Sequence, residues 1–253
     1  MNNYQRHVSD LLASGRPLVF YDLETTGLDK EIWLPDGSRS RMPRVWQMAA
    51  VRREADGSEK SAERILDCGE PLSADIIRVC GLQPADADLP QREGRAPREV
   101  LPRFAEFLRG AYLVGHNIVG FDNPLLAYEF ALAGLPPPLQ LLDKRLCIDT
   151  MILSRELFAG AKRFPVNGSA KASARLIDVG TFFACDFDPT KLHGAMADTR
   201  LTCQVFDGLV DEMKTREAED ALDAWLALQP ARNEPMVTAN DRLPAALEAD
   251  DEF

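Results

Sequence analysis

The sequence predicts an α/β domain, a mixed sheet with helices on its faces. Two observations carry that prediction. Within the first 68 residues, three β-branched and aromatic stretches follow one another, the last two joined by the hairpin turn Ala55-Asp56-Gly57-Ser58, which reads as an antiparallel meander. From residue 97 onward, stretches of helical periodicity alternate with short apolar runs.

In chain order, residues 1–16 read as a short helix stopped by Ser14-Gly15. Pro17 to Leu23 is a buried strand that runs into the turn Thr25-Thr26-Gly27. Residues 28–44 are a long loop rich in Gly, Pro, Ser and Arg. Val45 to Arg53 and Glu59 to Cys68 are the second and third strands. Ser73 caps a short helix reaching Cys80, and a Pro- and acid-rich link covers 84–97. Val100, Leu101, Phe104, Phe107 and Leu108 make Pro97 to Arg109 an amphipathic helix. A fourth strand, Ala111 to Val114, ends in Gly115-His116-Asn117. Asp122-Asn123-Pro124 opens a helix closed by Gly134 and Pro136. A fifth strand, Leu146 to Ile148, leads into a helix from Asp149 to Phe158. A loop over 160–170 and a helix near Ala172–Val179 follow, then a long helix from Ala195 to Val210 that continues over 211–228. Pro, Asn and Asp then punctuate a tail expected to be mobile.

Composition removes several function classes. Five scattered cysteines without a C-x-x-C pair argue against a zinc site and a disulfide scaffold, and for a reducing, cytoplasmic setting. The polar N-terminus is not read as a signal peptide, and no run is long and apolar enough for a membrane span. The G-x-G-x-x-G, G-x-x-x-x-G-K-[ST] and H-E-x-x-H patterns are absent. The net charge of −11 is uneven: residues 211–253 hold 12 acidic and 4 basic residues, net −8, which leaves −3 for residues 1–210. Cations held at a carboxylate cluster would offset or locally reverse that −3.

Such a cluster is legible. Asp22 and Glu24 are two apart on a strand, so both project from one face. Two carboxylates on one face repel, and a hard divalent cation between them removes the repulsion. Asp122 stands where a strand hands over to a helix, the end of a sheet at which ligands collect, although a carboxylate there also suits an N-cap. Asp198 lies in the first turns of the last helix among Ala195, Ala197 and Leu201, where a lone carboxylate is costly. The chain has three histidines, and two of them, His116 and His193, fall in these acidic clusters.

The segments F-Y-D-L-E-T-T-G, G-H-N-x-x-x-F-D and H-x-x-x-x-D, in that order, resemble the three motifs of the DEDD exonucleases. The histidine five residues before the last aspartate is similar to the DEDDh branch, which includes the proofreading subunit of bacterial replicative DNA polymerase and ribonuclease T. The resemblance covers residues 17 to 210 and includes Cys147-Ile148-Asp149-Thr150. It implies a ribonuclease H-like fold, a five-stranded mixed sheet flanked by helices. It also implies two Mg²⁺ or Mn²⁺ ions held by Asp22, Glu24, Asp122 and Asp198, about 3.5–4 Å apart. His193 is then the general base, and the product is a nucleoside 5′-monophosphate cut from a 3′ end. Thr25 and Thr26 are placed to meet the terminal nucleotide, and His116 and Asn117 either join them or shape the strand end. One place departs from the family's pattern: where several relatives have His-Gly or Thr-Gly, this chain has Cys80-Gly81.

Two acid-free basic stretches are candidate grips for a phosphate backbone: Arg39, Arg41, Arg44, Arg52 and Arg53, and Lys162, Arg163, Lys171 and Arg175. The expected organisation is an N-terminal helical segment, 1–16, an exonuclease domain, 17–210, and a C-terminal helix and acidic tail, 211–253. The expected partner is a nucleic acid with a free 3′ end, single-stranded DNA favoured over RNA, with a polymerase or other protein docking to the tail and no membrane. The competing readings are an inactive nucleic-acid or polymerase-binding module and a small-nucleotide phosphoesterase.

Overall fold

The strand Leu18–Thr25, β1, takes the centre of the sheet because it is apolar on both faces for its first four residues, all of them buried. The computed structural model describes residues 3–27 and 42–227; the loop expected over 28–44, except its last three residues, and the C-terminal tail lie outside them. Among the described residues, β1, β2 (Val45–Arg53), β3 (Glu59–Ile65), β4 (Tyr112–Gly115) and β5 (Cys147–Asp149) form one mixed sheet in the order β3-β2-β1-β4-β5. The first three strands are antiparallel neighbours, and β4 and β5 join in parallel. The expected five-stranded α/β fold is the one observed.

The helices are α1 (Asn3–Ala13), α2 (Ala74–Val79), α3 (Leu89–Glu93), α4 (Pro97–Leu108), α5 (Asp122–Leu132), α6 (Leu139–Leu142), α7 (Thr150–Phe158), α8 (Leu176–Phe182) and α9 (Ala195–Ala227). Two cores result from the alternation of β1. Phe20 joins Val51, Val114 and Ile148 under α1, α7, α8 and α9; Val19, Tyr21 and Leu23 pack with Met48 and Leu113 against α4 and α5. The N-terminal helix is part of the first core, through Val8 and Leu11. The chain divides into residues 1–213 and a second unit, 214–253, described to residue 227 and helical there. No helix among the described residues is long and apolar enough to cross a membrane.

Several elements differ from expectation, each for a local reason. The third strand stops at Ile65 because Leu66 and Asp67 turn to bond Trp46 and Arg95 instead. The 84–97 link is partly helical, organised by a capping box between Gln83 and Asp86 and by Pro90 near the start of α3. The helix placed near Ala172 begins at Leu176, since Ala172 pairs with Val166 in a small hairpin.

Candidate active site

β1 and β4 pair only over Leu18–Phe20 and Tyr112–Val114. Beyond Phe20 the sheet forks, and Asp22 and Glu24 project into the fork from the carboxyl end of the central strand. Leu23, past its β4 partners, gives its N–H to the Asp122 carboxylate. On the other side, α9 crosses β2 closely: the Ala195 N–H reaches Gln47 Oε1 at 3.4 Å, and the Thr199 hydroxyl lies 3.4 Å from the Ala49 carbonyl. Ala49 and Gln47 are the β2 partners of Asp22 and Glu24. Small residues at this crossing let α9 deliver Asp198 to the pair.

One carboxylate oxygen from each of Asp22, Glu24 and Asp198 lies within 4.8 Å of the others. Asp122 stands outside that trio and beside Asp22, whose protonation it favours. It is the first residue of α5, not its cap; Phe121 holds the cap position, and Asp122 is 4 % exposed. Burial is the main cause of every carboxyl shift here. It pushes Asp122 up to about 8, against the restraining N–H groups of Asp122 itself and Leu23. It pushes Glu24 up to about 7, with the charge of Asp198 adding to it. Burial, then Asp122, Asp198 and Glu24, raise Asp22 well above the usual carboxylate range. Asp198 is raised by burial and relieved by His193. Four acids that resist ionising together, with oxygen donors converging, form a set that suits hard divalent cations.

His193 is exposed on the loop before α9 with φ of 66°. Its backbone N–H bonds Asp198 Oδ2 at 3.3 Å, so the loop holding the imidazole is tied to the carboxylate cluster. Thr26 is locked by Arg44: its N–H donates to the Arg44 carbonyl at 2.9 Å, and its hydroxyl accepts the Arg44 N–H at 3.0 Å. Thr25 donates its hydroxyl to the Gly27 carbonyl at 2.5 Å. His116 uses both ring nitrogens inside the protein, Nδ1 on Thr150 Oγ1 at 2.9 Å and Nε2 on the Ala174 carbonyl at 2.7 Å. Asn117 takes φ of 64° in the tight loop before α5, where a Cβ on Gly120 would meet Asn117 Oδ1 at 2.5 Å. Among the contacts of His116 and Asn117, those that hold the strand end are the ones filled.

Three further residues contribute to the site, two of which, Asp149 and Cys80, lie in segments singled out above without a role of their own. Asp149, 1 % exposed, accepts the N–H groups of Asn117, Val119, Met151 and Ile152 at 3.0–3.2 Å. It thereby fastens the loop that carries Asp122 to the start of α7. An acid directly before an apolar helix is an N-cap signal that could have marked it. Cys80, at the end of α2, points its thiol at Glu24 Oε2 at 3.6 Å, and burial, then that carboxylate, push the thiol up to about 12. Tyr21 donates to Asn123, which donates to Cys147, a buried brace under Asp122.

The phosphate-gripping role expected of the first basic stretch does not hold for its described members. Arg44 is spent on the buried Glu129. Arg52 binds Glu54 and the carbonyls of Phe107 and Arg109. Arg53 binds Glu59 and Asp207 and lies over Phe20. Arg39 and Arg41 lie outside the described residues. In the second stretch, Arg163 sits over Phe182 and Arg175 pairs with Asp178. Guanidinium groups with five donors find carboxylates and carbonyls inside the protein before any ligand arrives.

Comparison with known proteins supplies independent findings. A family model described as Exonuclease (RNase T) matches residues 19–206. The chain is 26% identical over 196 residues to the PolC-type DNA polymerase III of Mycoplasma pneumoniae, a match spanning 78% of this chain and 12% of that protein. It is 29% identical over 157 residues to the PolC-type enzyme of Pediococcus pentosaceus, 62% of this chain and 10% of that protein. Escherichia coli exonuclease I in complex with a dT13 oligonucleotide superposes with a TM-score of 0.60 at 18% identity, over 81% of this chain and 43% of that one. Exonuclease I of Methylocaldum szegediense does so with 0.59 at 20% identity, over 78% and 40%. The solved structures share the fold, and the chain spans less than half of each of these relatives.

Proposed function

Since this chain belongs to the exonuclease (RNase T) family, we propose that residues 17–210 form a metal-dependent 3′–5′ exonuclease domain of the DEDDh type that releases nucleoside 5′-monophosphates. The observation that carries this reading is the meeting of Asp22, Glu24 and Asp198, with Asp122 beside them, at the forked end of the central strand. Asp22, Glu24, Asp122 and Asp198 hold the two Mg²⁺ or Mn²⁺ ions. When bound, the ions supply the charge that activates a water and stabilises the departing 3′ oxygen. His193 accepts the proton of the attacking water on a ring nitrogen and passes it to solvent, which its exposure permits. Thr25, Thr26, His116 and Asn117 shape the floor on which the terminal nucleotide lies. Asp149 keeps Asp122 in register by tying its loop down.

The substrate is single-stranded nucleic acid, DNA favoured, a choice supported by the dT13 complex of the E. coli neighbour. The polymerase-linked relatives support a polymerase as the protein partner, with residues 211–253 as the segment that docks to it. Five free thiols support a reducing cytoplasmic setting. The test is digestion of end-labelled oligonucleotides, DNA against RNA and single against double strand, in Mg²⁺, Mn²⁺ and EDTA. Stepwise shortening from the 3′ end with mononucleotide product, abolished by EDTA, is the expected result. No metal-dependent shortening, or faster hydrolysis of dinucleotides than of longer strands, overturns it.

A further inference from the structure

Residues 157–177 contain four cations and no acid in a chain of net charge −11. Their centre is a preformed hairpin. Val166 and Ala172 bridge, the Ser173 N–H bonds the Pro165 carbonyl at 3.0 Å, and Asn167 Oδ1 accepts from Ser169 and Lys171 at the tip. Ala170 takes φ of 57° to close that tip. The hairpin and α7 enclose a cleft of about 440 Å³ lined by Arg155, Phe158, Phe164, Pro165 and Ser173 among others. Phe164 is 37% exposed and Val166 47%, two apolar groups two residues apart on the first arm of the hairpin. The return strand of the hairpin ends at Ala174, whose carbonyl is held by His116 Nε2 at 2.7 Å, and His116 opens the loop that carries Asp122. The hairpin is therefore fastened to the edge of the carboxylate site.

Arg163 lies over Phe182 and Arg175 is paired with Asp178, which leaves three exposed cations: Arg155, which lines the cleft with Phe164, and Lys162 and Lys171 on the hairpin segment beside it. Single strands are bound by this combination: phosphates on cations and a base stacked on an aromatic face. Resting on the nuclease reading above, we propose that this cleft seats the single strand upstream of the nucleotide being removed, with a base on Phe164 and phosphates on Lys162, Lys171 and Arg155.

The experiment measures binding of a fluorescein-labelled oligothymidylate of about twelve nucleotides to the full chain, by anisotropy, in EDTA and across a salt series. Phe164→Ala should weaken Kd about tenfold, the scale of one lost base stack. Lys162→Ala with Lys171→Ala should flatten the plot of log Kd against log salt by about 0.7 per lysine. A purely structural role would leave that slope alone. Affinities within twofold of wild type and an unchanged slope overturn the cleft, as does a wild type that binds no oligonucleotide; circular dichroism confirms that each variant is folded. Mononucleotide release by the same wild-type preparation is read separately. Release with unresponsive Kd sinks the cleft alone, and responsive Kd without release sinks the nuclease reading alone.

Discussion

Replacing Arg44 by alanine separates a structural role from a phosphate-binding one. Glu129 is fully buried in α5, and its carboxylate accepts Arg44 Nε at 2.8 Å, Arg44 Nη2 at 3.0 Å and the Val45 N–H at 2.9 Å. Arg44 also gives Nη1 to the Cys68 carbonyl at 2.9 Å. Its side chain is only 21 % exposed, and the Glu129 hydrogen bonds raise its pKa further. Arg44→Ala strands a buried carboxylate, a change that costs about 3–5 kcal/mol. At about 2–4 °C per kcal/mol for a domain of this size, Tm falls by roughly 6–20 °C. Glu129→Gln keeps the volume and leaves a cation that can turn to water, so it costs less, about 1–3 kcal/mol. Arg44→Met with Glu129→Leu should recover only part of the loss: an apolar pair of similar size needs no desolvation of charge, but it leaves the buried Val45 N–H without its Glu129 acceptor. Thermal unfolding followed by circular dichroism reads all three. A wild-type Tm in Arg44→Ala together with weaker oligonucleotide binding would refute this reasoning and return Arg44 to the phosphate backbone. The bonds from Arg44 to Thr26 run through its main-chain N–H and carbonyl, which alanine keeps, so the loss falls on the Glu129 side and not directly on Thr26.

Asp198→Ala should abolish metal-dependent mononucleotide release while leaving the metal-free Tm equal or higher, because it relieves repulsion on Asp22 and Glu24; retained activity rejects the metal site. His193→Ala should lower kcat by ~10²–10⁴ with little change in the Mn²⁺ concentration needed for half activity, and an unchanged rate would assign the proton to another base. The metal-free protein should lose stability as pH rises. Folded Asp122 and Glu24 keep their protons up to about 8 and about 7, whereas the unfolded chain releases them near ~4. Their contribution is complete below ~4 and is lost as pH climbs through 7 and 8. Tm in EDTA should therefore decline over that window and the decline should flatten in saturating Mn²⁺, which favours the ionised carboxylates; a Tm in EDTA that rises with pH contradicts the burial of these acids.

What the sequence determined by itself is local and periodic. The two-residue repeat of a strand puts Asp22 and Glu24 on one face whatever surrounds them. Hydrophobic patterning placed all five strands within three residues of their observed ends. The spacing of His193 and Asp198 across the start of a helix was likewise readable without coordinates. Tertiary structure decided the fate of side chains whose partners are remote in the chain. Arg44 and Glu129 are 85 residues apart, and only closure of α5 over β2 turns a loop arginine into half of a buried pair. Asp122 looked equally suited to capping its helix; the fork between β1 and β4 aims it at Leu23 instead. Asp149 became the anchor of the loop that carries Asp122 because β5 pairs with β4 in a register that sets it opposite Gly115. Neighbour-to-neighbour geometry repeats along a chain and can be counted from one end, whereas burial and charge pairing depend on which distant surfaces meet.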